Sequence, residues 1–367
     1  MPCFFLIINL LDILLKGLRI NRVRIFFDKF IAGFTLTVVC YCVMITRHRL
    51  VSIAALLILV WSSGWGFFGH REINRLAVFT LPPEMIGFYK ANIRFLTTAA
   101  VNPDRRRYAV PDEAPRHYID IDHYGDSAFS KIPHSWREAE RLFSADTLEA
   151  HGIVPWHIYR VYHSLRDAFL LQDPSLILKH SAEIGHYIAD ANVPLHTTEN
   201  YDGQKTGQEG IHAFWESRLP ELFSHDFDFF VGRAEFVASP LEAAWHAVAV
   251  AHEAVDSVLT GERELYERMG HKKFAYETRG RQTTRVVSLP YARAYHRLLS
   301  GMVERQMRSA VKMTGDFWYS AWVDAGQPDI QHLINYTPSV EELELRKQEL
   351  ERWRRREVIS RQHEVDY

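Results

Sequence analysis

Apolar residues recur at helical spacing through most of this chain, from residue 65 to about residue 330. The clearest cases are residues 157–171 and 174–190. Alternation typical of strands is scarce, and residues 116–121 are its best example. Further helices are predicted over residues 72–80, 211–223, 240–259 and 290–313. We find no internal repeat and expect an all-α single domain.

Cysteine usage and charge exclude several classes of protein. The three cysteines are Cys3, Cys40 and Cys42, so the chain beyond them has no disulfide framework and no thiolate zinc site. A net charge of −2 argues against a broad basic face that holds duplex DNA by charge. Histidine is abundant, with 19 residues, and neutral imidazole is the commonest metal ligand. The histidines are therefore the first place to look for function.

The first 64 residues have the character of a leader. Residues 44–64 combine a short basic stretch, twelve mostly apolar residues and a small-residue end, which is the pattern of a secretory signal peptide. Residues 1–43 are then either a mis-assigned extension or a membrane anchor with a basic segment. We expect a secreted or periplasmic protein that begins at Trp65.

The remainder of the chain is acidic. Residues 1–64 contain seven Lys or Arg and two Asp or Glu, which leaves 36 basic and 43 acidic residues, a net charge near −7. The folded domain is expected over residues 65–335, and residues 336–367 form a charged tail. Ser339 and Glu342 have capping-box spacing, so a helix is predicted over residues 342–362. It is either solvent-exposed or a docking helix for a partner.

Two His/carboxylate pairs have the four-residue spacing that places both side chains on one helix face. They are His186 with Asp190 and His212 with Glu216. His196 lies between the pairs, just beyond a predicted helix end. Imidazole with carboxylate is a ligand set that suits zinc. One pair alone is weak evidence, because it is usually a solvated face, but the combination predicts a metal site.

Three other segments contain further candidate ligands. Asp104 precedes Arg105, Arg106 and Arg107 in N-P-D-R-R-R, the segment R-H-Y-I-D is embedded in an apolar stretch, and W-G-F-F-G-H follows the predicted cleavage point. Each of the first two segments, taken alone, is also explained by a salt bridge in a loop without any metal ligand.

Five sequence blocks occur in the order typical of one protein family. Through them, the chain from residue 65 to about residue 329 resembles the family that joins single-strand-specific nucleases of the S-one/P-one type to zinc-dependent phospholipase C. The blocks are W-G-F-F-G-H, the Asp of P-D-R-R-R, H-Y-I-D, H-Y-I-A-D-A-N-V-P-L-H and H-A-F-W-E. The resemblance implies a helical domain with three zinc ions in a cleft. Its ligands would be Trp65, His70, Asp104, His117, His186, Asp190, His196, His212 and Glu216.

The resemblance also implies how these ligands divide. The first zinc takes Asp104, His117, His186 and Asp190, and the second takes His196, His212 and Glu216. The third takes His70, a shared oxygen of Asp190, and the α-amino nitrogen and carbonyl oxygen of Trp65. A peptide nitrogen has no lone pair for zinc, whereas a free amine can be deprotonated by the metal. We therefore expect the uncleaved precursor to be metal-deficient.

The implied chemistry is phosphodiester hydrolysis by a zinc-bound hydroxide. Three zinc ions and three carboxylates leave the site near +3, which attracts a phosphodiester even to an acidic protein. Asp104 would hold the first zinc, and Arg107 matches a family arginine that faces the developing charge on phosphorus. A surface salt-bridge cluster is the alternative for the three arginines.

The substrate is the harder question. The W-x4-H spacing is that of the nuclease branch, and the resemblance implies that Tyr118 stacks on a base while Asp120 hydrogen-bonds its edge. A half-buried core ring is the alternative for Tyr118. Glu216 points the other way, because nucleases commonly have Asp there. We expect a nuclease that releases 5′-phosphate products from single-stranded DNA or RNA, with removal of 3′-phosphates as a second activity. A phosphatidylcholine-type phospholipase C and a non-catalytic zinc protein are the alternatives.

Overall fold

The computed structural model describes residues 67–279 and 282–356, and this part of the chain is mostly helical. The prediction of an all-α protein is therefore confirmed. The α-helices begin with α1 (Phe68–Ala77), α2 (Pro83–Ala91), α3 (Ile93–Ala99), α4 (Asn102–Arg106), α5 (Ala128–Lys131), α6 (Trp136–Phe143), α7 (Ala145–His151), α8 (Val154–Leu170) and α9 (Pro174–Ala191). They continue as α10 (Ile211–Ala213), α11 (Leu219–Phe223), α12 (Pro240–Glu253), α13 (Val255–Met269), α14 (Leu289–Leu298), α15 (Met302–Asp324) and α16 (Val340–Trp353).

Short turns of 3₁₀ helix connect these elements. Three of them matter for the site or its surroundings: Ala114–His117, Ile121–Tyr124 and Pro194–Thr197. The remaining 3₁₀ turns are Val78–Thr80, Ser224–Asp226, Gly270–Lys272 and Gln331–Leu333. Between α10 and α11 the backbone is π-helical over Phe214–Arg218, so residues 211–223 form one helical segment with a widened middle turn.

Two of the predicted helices are interrupted. The prediction over 240–259 is divided between α12 and α13 at Ala254, and that over 290–313 is divided between α14 and α15. The second break occurs at Ser300 and Gly301, which both have positive φ, 49° and 77°. Apolar spacing continues through such a break, so periodicity alone does not show it.

The strand prediction was wrong. Residues 116–121 contain the end of one 3₁₀ turn, an extended link and the start of the next, and no strand. The antiparallel hairpin of the described region is formed instead by β1 (Phe274–Arg279) and β2 (Gln282–Val287), with Phe274 opposite Val287. The alternation that creates a strand lies in residues 274–287, between two helices, where the sequence analysis expected none.

Helix α9 lies at the centre of the core. It packs against α8, α15, α1 and α3, and almost every residue of its second half is buried. A helix surrounded on all sides is apolar all round, which explains its apolar sequence. The polar residues that it does bury, among them Glu183, His186 and Asp190, therefore need partners inside the protein.

The tail helix α16 packs against the body of the protein. The predicted capping box is present, because Ser339 Oγ accepts from the Glu342 amide and the Glu342 carboxylate accepts from the Ser339 amide. Arg346 lies over the ring of Phe95 at 4.6 Å, and Trp353 is buried. Most residues of this helix are exposed, as predicted for a solvent-exposed tail, and the contacts of Arg346 and Trp353 attach one edge of it to the domain.

No helix within the described residues is both long and apolar enough to span a bilayer. The predicted extension, the signal peptide and Trp65 lie outside those residues.

Candidate metal centre

Eight of the nine predicted ligands lie within the described residues, and all eight are buried. They come from six elements between residues 68 and 223 that meet at α9. Helix α9 contributes two ligands from successive turns, and the 211–223 segment contributes two more across its π-helical turn. The eight residues are His70, Asp104, His117, His186, Asp190, His196, His212 and Glu216.

The first predicted group has the spacing of a tetrahedral site. His117 Nδ1, His186 Nε2 and Asp190 Oδ2 are separated by 3.0–3.3 Å, and Asp104 Oδ1 lies 3.7 Å from both imidazole nitrogens. Ligands that surround zinc tetrahedrally at about 2.0–2.1 Å lie about 3.3 Å from one another. The atoms of His117, His186 and Asp190 therefore fit a single divalent ion, with Asp104 at the edge of the group.

The second group consists of His196, His212 and Glu216. Glu216 Oε2 lies 2.8 Å from His212 Nε2 and 3.3 Å from His196 Nε2. The three atoms face one another inside the protein, as the four-residue spacing and the loop histidine predicted. Because the backbone carrying Glu216 is π-helical rather than α-helical, the carboxylate position depends on an irregularity that the sequence analysis did not anticipate.

The third group shows more sharing than was predicted. His70 Nε2 lies 3.5 Å from Asp190 Oδ1, as expected, and also 3.2 Å from Glu216 Oε1 and 3.8 Å from Asp104 Oδ2. Each of the three carboxylates therefore directs one oxygen to His70 and the other to a neighbouring group. Spacing along the chain carries no information about this sharing, which depends on how four separate elements pack.

Hydrogen bonds behind the imidazoles set their orientation. His186 Nδ1 donates to the Ala100 carbonyl at 2.8 Å, His196 Nδ1 to the His117 carbonyl at 2.6 Å, and His212 Nδ1 to the Tyr201 carbonyl at 2.9 Å. Since a carbonyl only accepts, Nδ1 carries the proton, and in the neutral ring the Nε2 lone pair faces a carboxylate. A lone pair that faces a carboxylate is repelled unless a proton or a cation lies between them. The hydrogen bond from Nδ1 to a backbone carbonyl is the arrangement found behind metal-binding histidines.

Glu113 is a partner of His117 that the sequence analysis missed. Its Oε1 lies 3.7 Å from His117 Nε2, on the side of the ring away from Asp190. The same carboxylate accepts from Arg106 and Arg116. Glu113 is the residue before the 3₁₀ turn Ala114–His117 and so precedes His117 by four residues, in a segment where no helix was predicted. A carboxylate behind a ligand imidazole raises its basicity.

The electrostatics of the cluster favour charge on the carboxylates. Burial opposes ionisation of Glu216, but the imidazoles of His196, His212 and His70 outweigh it and hold its pKa well below its usual range. Asp190 has a lowered pKa for the same reason. Burial also disfavours the charged form of His70, but Glu216 and the two aspartates overcome it and raise the pKa to about 10. Buried, ionised carboxylates of this kind are stabilised by a proton or a cation between them.

The three consecutive arginines have different surroundings. Arg106 is partly buried and contacts Glu113, Glu183 and the Tyr187 hydroxyl, so it belongs to a structural ion-pair network. Arg107 is buried with Nη1 3.7 Å from Asp104 Oδ1, next to the ligand cluster. Arg107 is thus the one of these two whose guanidinium lies beside the ligand cluster.

Tyr118 and Asp120 lie immediately beyond His117, and both are buried. The Tyr118 ring is 6% exposed and packs against Gly152, and its hydroxyl donates to the Ala150 carbonyl at 3.4 Å. A ring so enclosed presents no open face on which a base could stack. This environment agrees with the alternative that Tyr118 is a core ring. The Asp120 amide donates to the His151 carbonyl at 2.7 Å.

No family model matches the sequence, and no curated protein matches it as a relative. The geometry of the buried groups therefore carries the functional argument.

Proposed function

We propose that the chain is a metal-dependent phosphodiesterase that hydrolyses single-stranded nucleic acid to 5′-phosphate products. The observation that carries the proposal is the buried cluster in which Asp104, Asp190 and Glu216 each join two groups of imidazoles. Closely spaced divalent ions that share carboxylates are characteristic of phosphodiester hydrolysis. The mixture of imidazole and carboxylate donors suits zinc.

Bound zinc would supply Lewis acidity and would lower the pKa of water toward neutrality. The residues of the chain do the rest. The three carboxylates would hold the cations, and the backbone carbonyls of Ala100, His117 and Tyr201 keep the imidazoles oriented. The five neutral imidazoles carry no charge, and the three carboxylates do not balance the positive charge of three divalent ions. The occupied site would therefore be positively charged and would attract an anion.

Arg107 is the residue that we assign to the phosphate. Its guanidinium is permanently charged, lies beside Asp104, and stacks at 5.3 Å over the Tyr108 ring. A guanidinium in this position would stabilise the additional negative charge that develops on phosphorus in the transition state. We expect Arg107→Lys to lower kcat with little change in zinc content, since the side chain is not a ligand.

A phosphatidylcholine-type lipid is the second candidate substrate. Glu216 favours it through the family resemblance, and the enclosed ring of Tyr118 removes one argument for base stacking. We therefore base the choice of nucleic acid on the W-x4-H spacing of the N-terminal block alone.

The test uses the full chain, produced in a secreting host and purified with zinc. Single-stranded DNA, RNA and phosphatidylcholine vesicles are assayed side by side, and Asp190→Asn is compared with the surface variant Asp256→Asn. We expect cleavage of the nucleic acids, loss of it in Asp190→Asn, and an unchanged rate in Asp256→Asn. Cleavage of lipid alone would refute the proposed substrate. N-terminal sequencing of the secreted protein tests the predicted start at Trp65.

A further inference from the structure

We infer that the protein has an additional, more accessible transition-metal site formed by His123, His151 and Glu199, with Asp120 at its edge. The ligand atoms of the first three residues lie close enough to surround one ion. These residues are partly exposed, unlike the buried ligands described above. The inference does not depend on the proposed function.

The distances favour a cation over simple ion pairs. His123 Nδ1 lies 3.4 Å from Glu199 Oε1, and His151 Nδ1 lies 3.8 Å from the same oxygen and 3.7 Å from Asp120 Oδ2. A charged hydrogen bond brings N and O to about 2.7–2.9 Å. Ligands around zinc lie about 3.3 Å from one another, because the ion occupies the space between them.

The two imidazole rings point to the same conclusion. They are stacked with centroids 3.2 Å apart and planes 14° from parallel, and both present Nδ1 to Glu199. Two protonated rings would repel each other at this distance. Burial and the neighbouring His123 lower the pKa of His151, which favours the neutral form that binds metal.

The carboxylate of Glu199 is held in place by its surroundings. Lys205 pairs with Oε2, which leaves Oε1 directed at the imidazoles. The Glu199 amide donates to Asp122 Oδ1 at 2.9 Å, and Gln204 Nε2 donates to the Glu199 carbonyl at 2.7 Å. A site whose ligand is oriented in advance loses little conformational entropy on binding.

The chain path connects this site to the buried cluster. The Ile119 amide donates to the His196 carbonyl at 2.9 Å, which joins the two segments that carry His117 and His196. Three residues farther along, these segments carry Asp120 and Glu199. Three residues span at most about 10–11 Å, so the backbone of Asp120 and Glu199 lies within that distance of the backbone that carries His117 and His196.

A nearby surface pair provides the matched control. His134 Nδ1 lies 2.8 Å from Glu242 Oε2, a hydrogen-bond distance, and its exposure is close to that of His123. Within the part of the chain that the structure describes, no second imidazole joins that pair to form a metal-binding group. The pair and the three-residue group thus differ in their capacity to hold an ion, while His134 and His123 are similarly accessible.

The experiment measures zinc per chain for the full-length protein by equilibrium dialysis with elemental analysis. We expect His123→Ala/His151→Ala to bind one ion fewer than the parent and His134→Ala to bind the same number. In the unaltered protein, zinc should protect His123 and His151 from diethyl pyrocarbonate while His134 reacts as before, as mapped by mass spectrometry.

An unchanged zinc count in the double variant, or equal modification of His123 and His151 with and without zinc, overturns the inference. The modification experiment needs no variant, so a folding defect cannot obscure the result. Both readouts are independent of catalysis. A chain that binds this ion but cleaves no phosphodiester would refute the proposed function alone.

Discussion

Replacing Glu216 with Gln tests whether one carboxylate serves two metal groups. Its Oε2 lies 2.8 Å from His212 and 3.3 Å from His196, and its Oε1 lies 3.2 Å from His70. The substitution keeps the shape of the side chain but removes its charge from both groups. The group around Asp104 and His117 does not include Glu216. We therefore expect the buried cluster to lose two ions and retain one.

The effect on stability follows from linkage. At a free zinc concentration 100 times the dissociation constant, each site contributes about 2.7 kcal/mol to the free energy of unfolding. Losing two sites removes about 5 kcal/mol of zinc-dependent stabilisation. In urea denaturation, the parent should gain stability as zinc is added, and Glu216→Gln should gain much less.

Glu262→Gln is the matched control. Glu262 is also a buried glutamate, but it pairs with Lys273 at 2.8 Å and accepts from the Tyr291 hydroxyl at 2.7 Å. Breaking that buried pair should cost about 3–5 kcal/mol, so the control is also destabilised. Its zinc content and its gain in stability with zinc should nevertheless equal those of the parent. If Glu216→Gln also keeps all its ions, the carboxylate does not join two groups and the reasoning fails.

Three further predictions concern the same site. Gly185, the residue before His186, has no room for a side chain, because a Cβ there would lie 1.9 Å from Asn74 Oδ1. Gly185→Ala should therefore lower the free energy of unfolding by about 1–3 kcal/mol and reduce the zinc content. Unchanged values would show that Asn74 moves freely. For the metal-free protein, the raised pKa of His70 supplies stability that is complete below pH about 6.5 and lost as pH rises through about 10. Urea denaturation that is flat between those pH values would contradict it. Finally, a variant that retains the residues before Trp65 should bind fewer zinc ions than the cleaved protein, and elemental analysis showing an equal number would exclude the α-amine as a ligand.

Local features of the site could be read from the sequence because they depend on one element at a time. The pairs His186/Asp190 and His212/Glu216 are neighbours on their own helical segments, so a spacing of four residues was sufficient to find them. The capping box at Ser339 is local in the same sense. The hairpin was missed because its two short strands gain their register only from each other.

Other features involve residues that are far apart in the chain. The tail helix is anchored because Trp353 is buried beside Arg106. The cluster of His123, His151 and Glu199 combines three separate segments. Sequence spacing between such residues has no fixed relation to distance, so no pattern could predict these contacts.

The amino-acid sequence by itself determined that the body of this protein is helical, that it contains no cysteine, and which histidines and carboxylates are candidate ligands. These properties follow from composition and from the helical repeat, which act over a few residues. Only the tertiary structure decided that Asp104, Asp190 and Glu216 each face two groups of imidazoles. That sharing depends on the packing of α1, α4, α9 and the π-helical turn around one buried point, where uncompensated charge is costly and a bound cation is favoured.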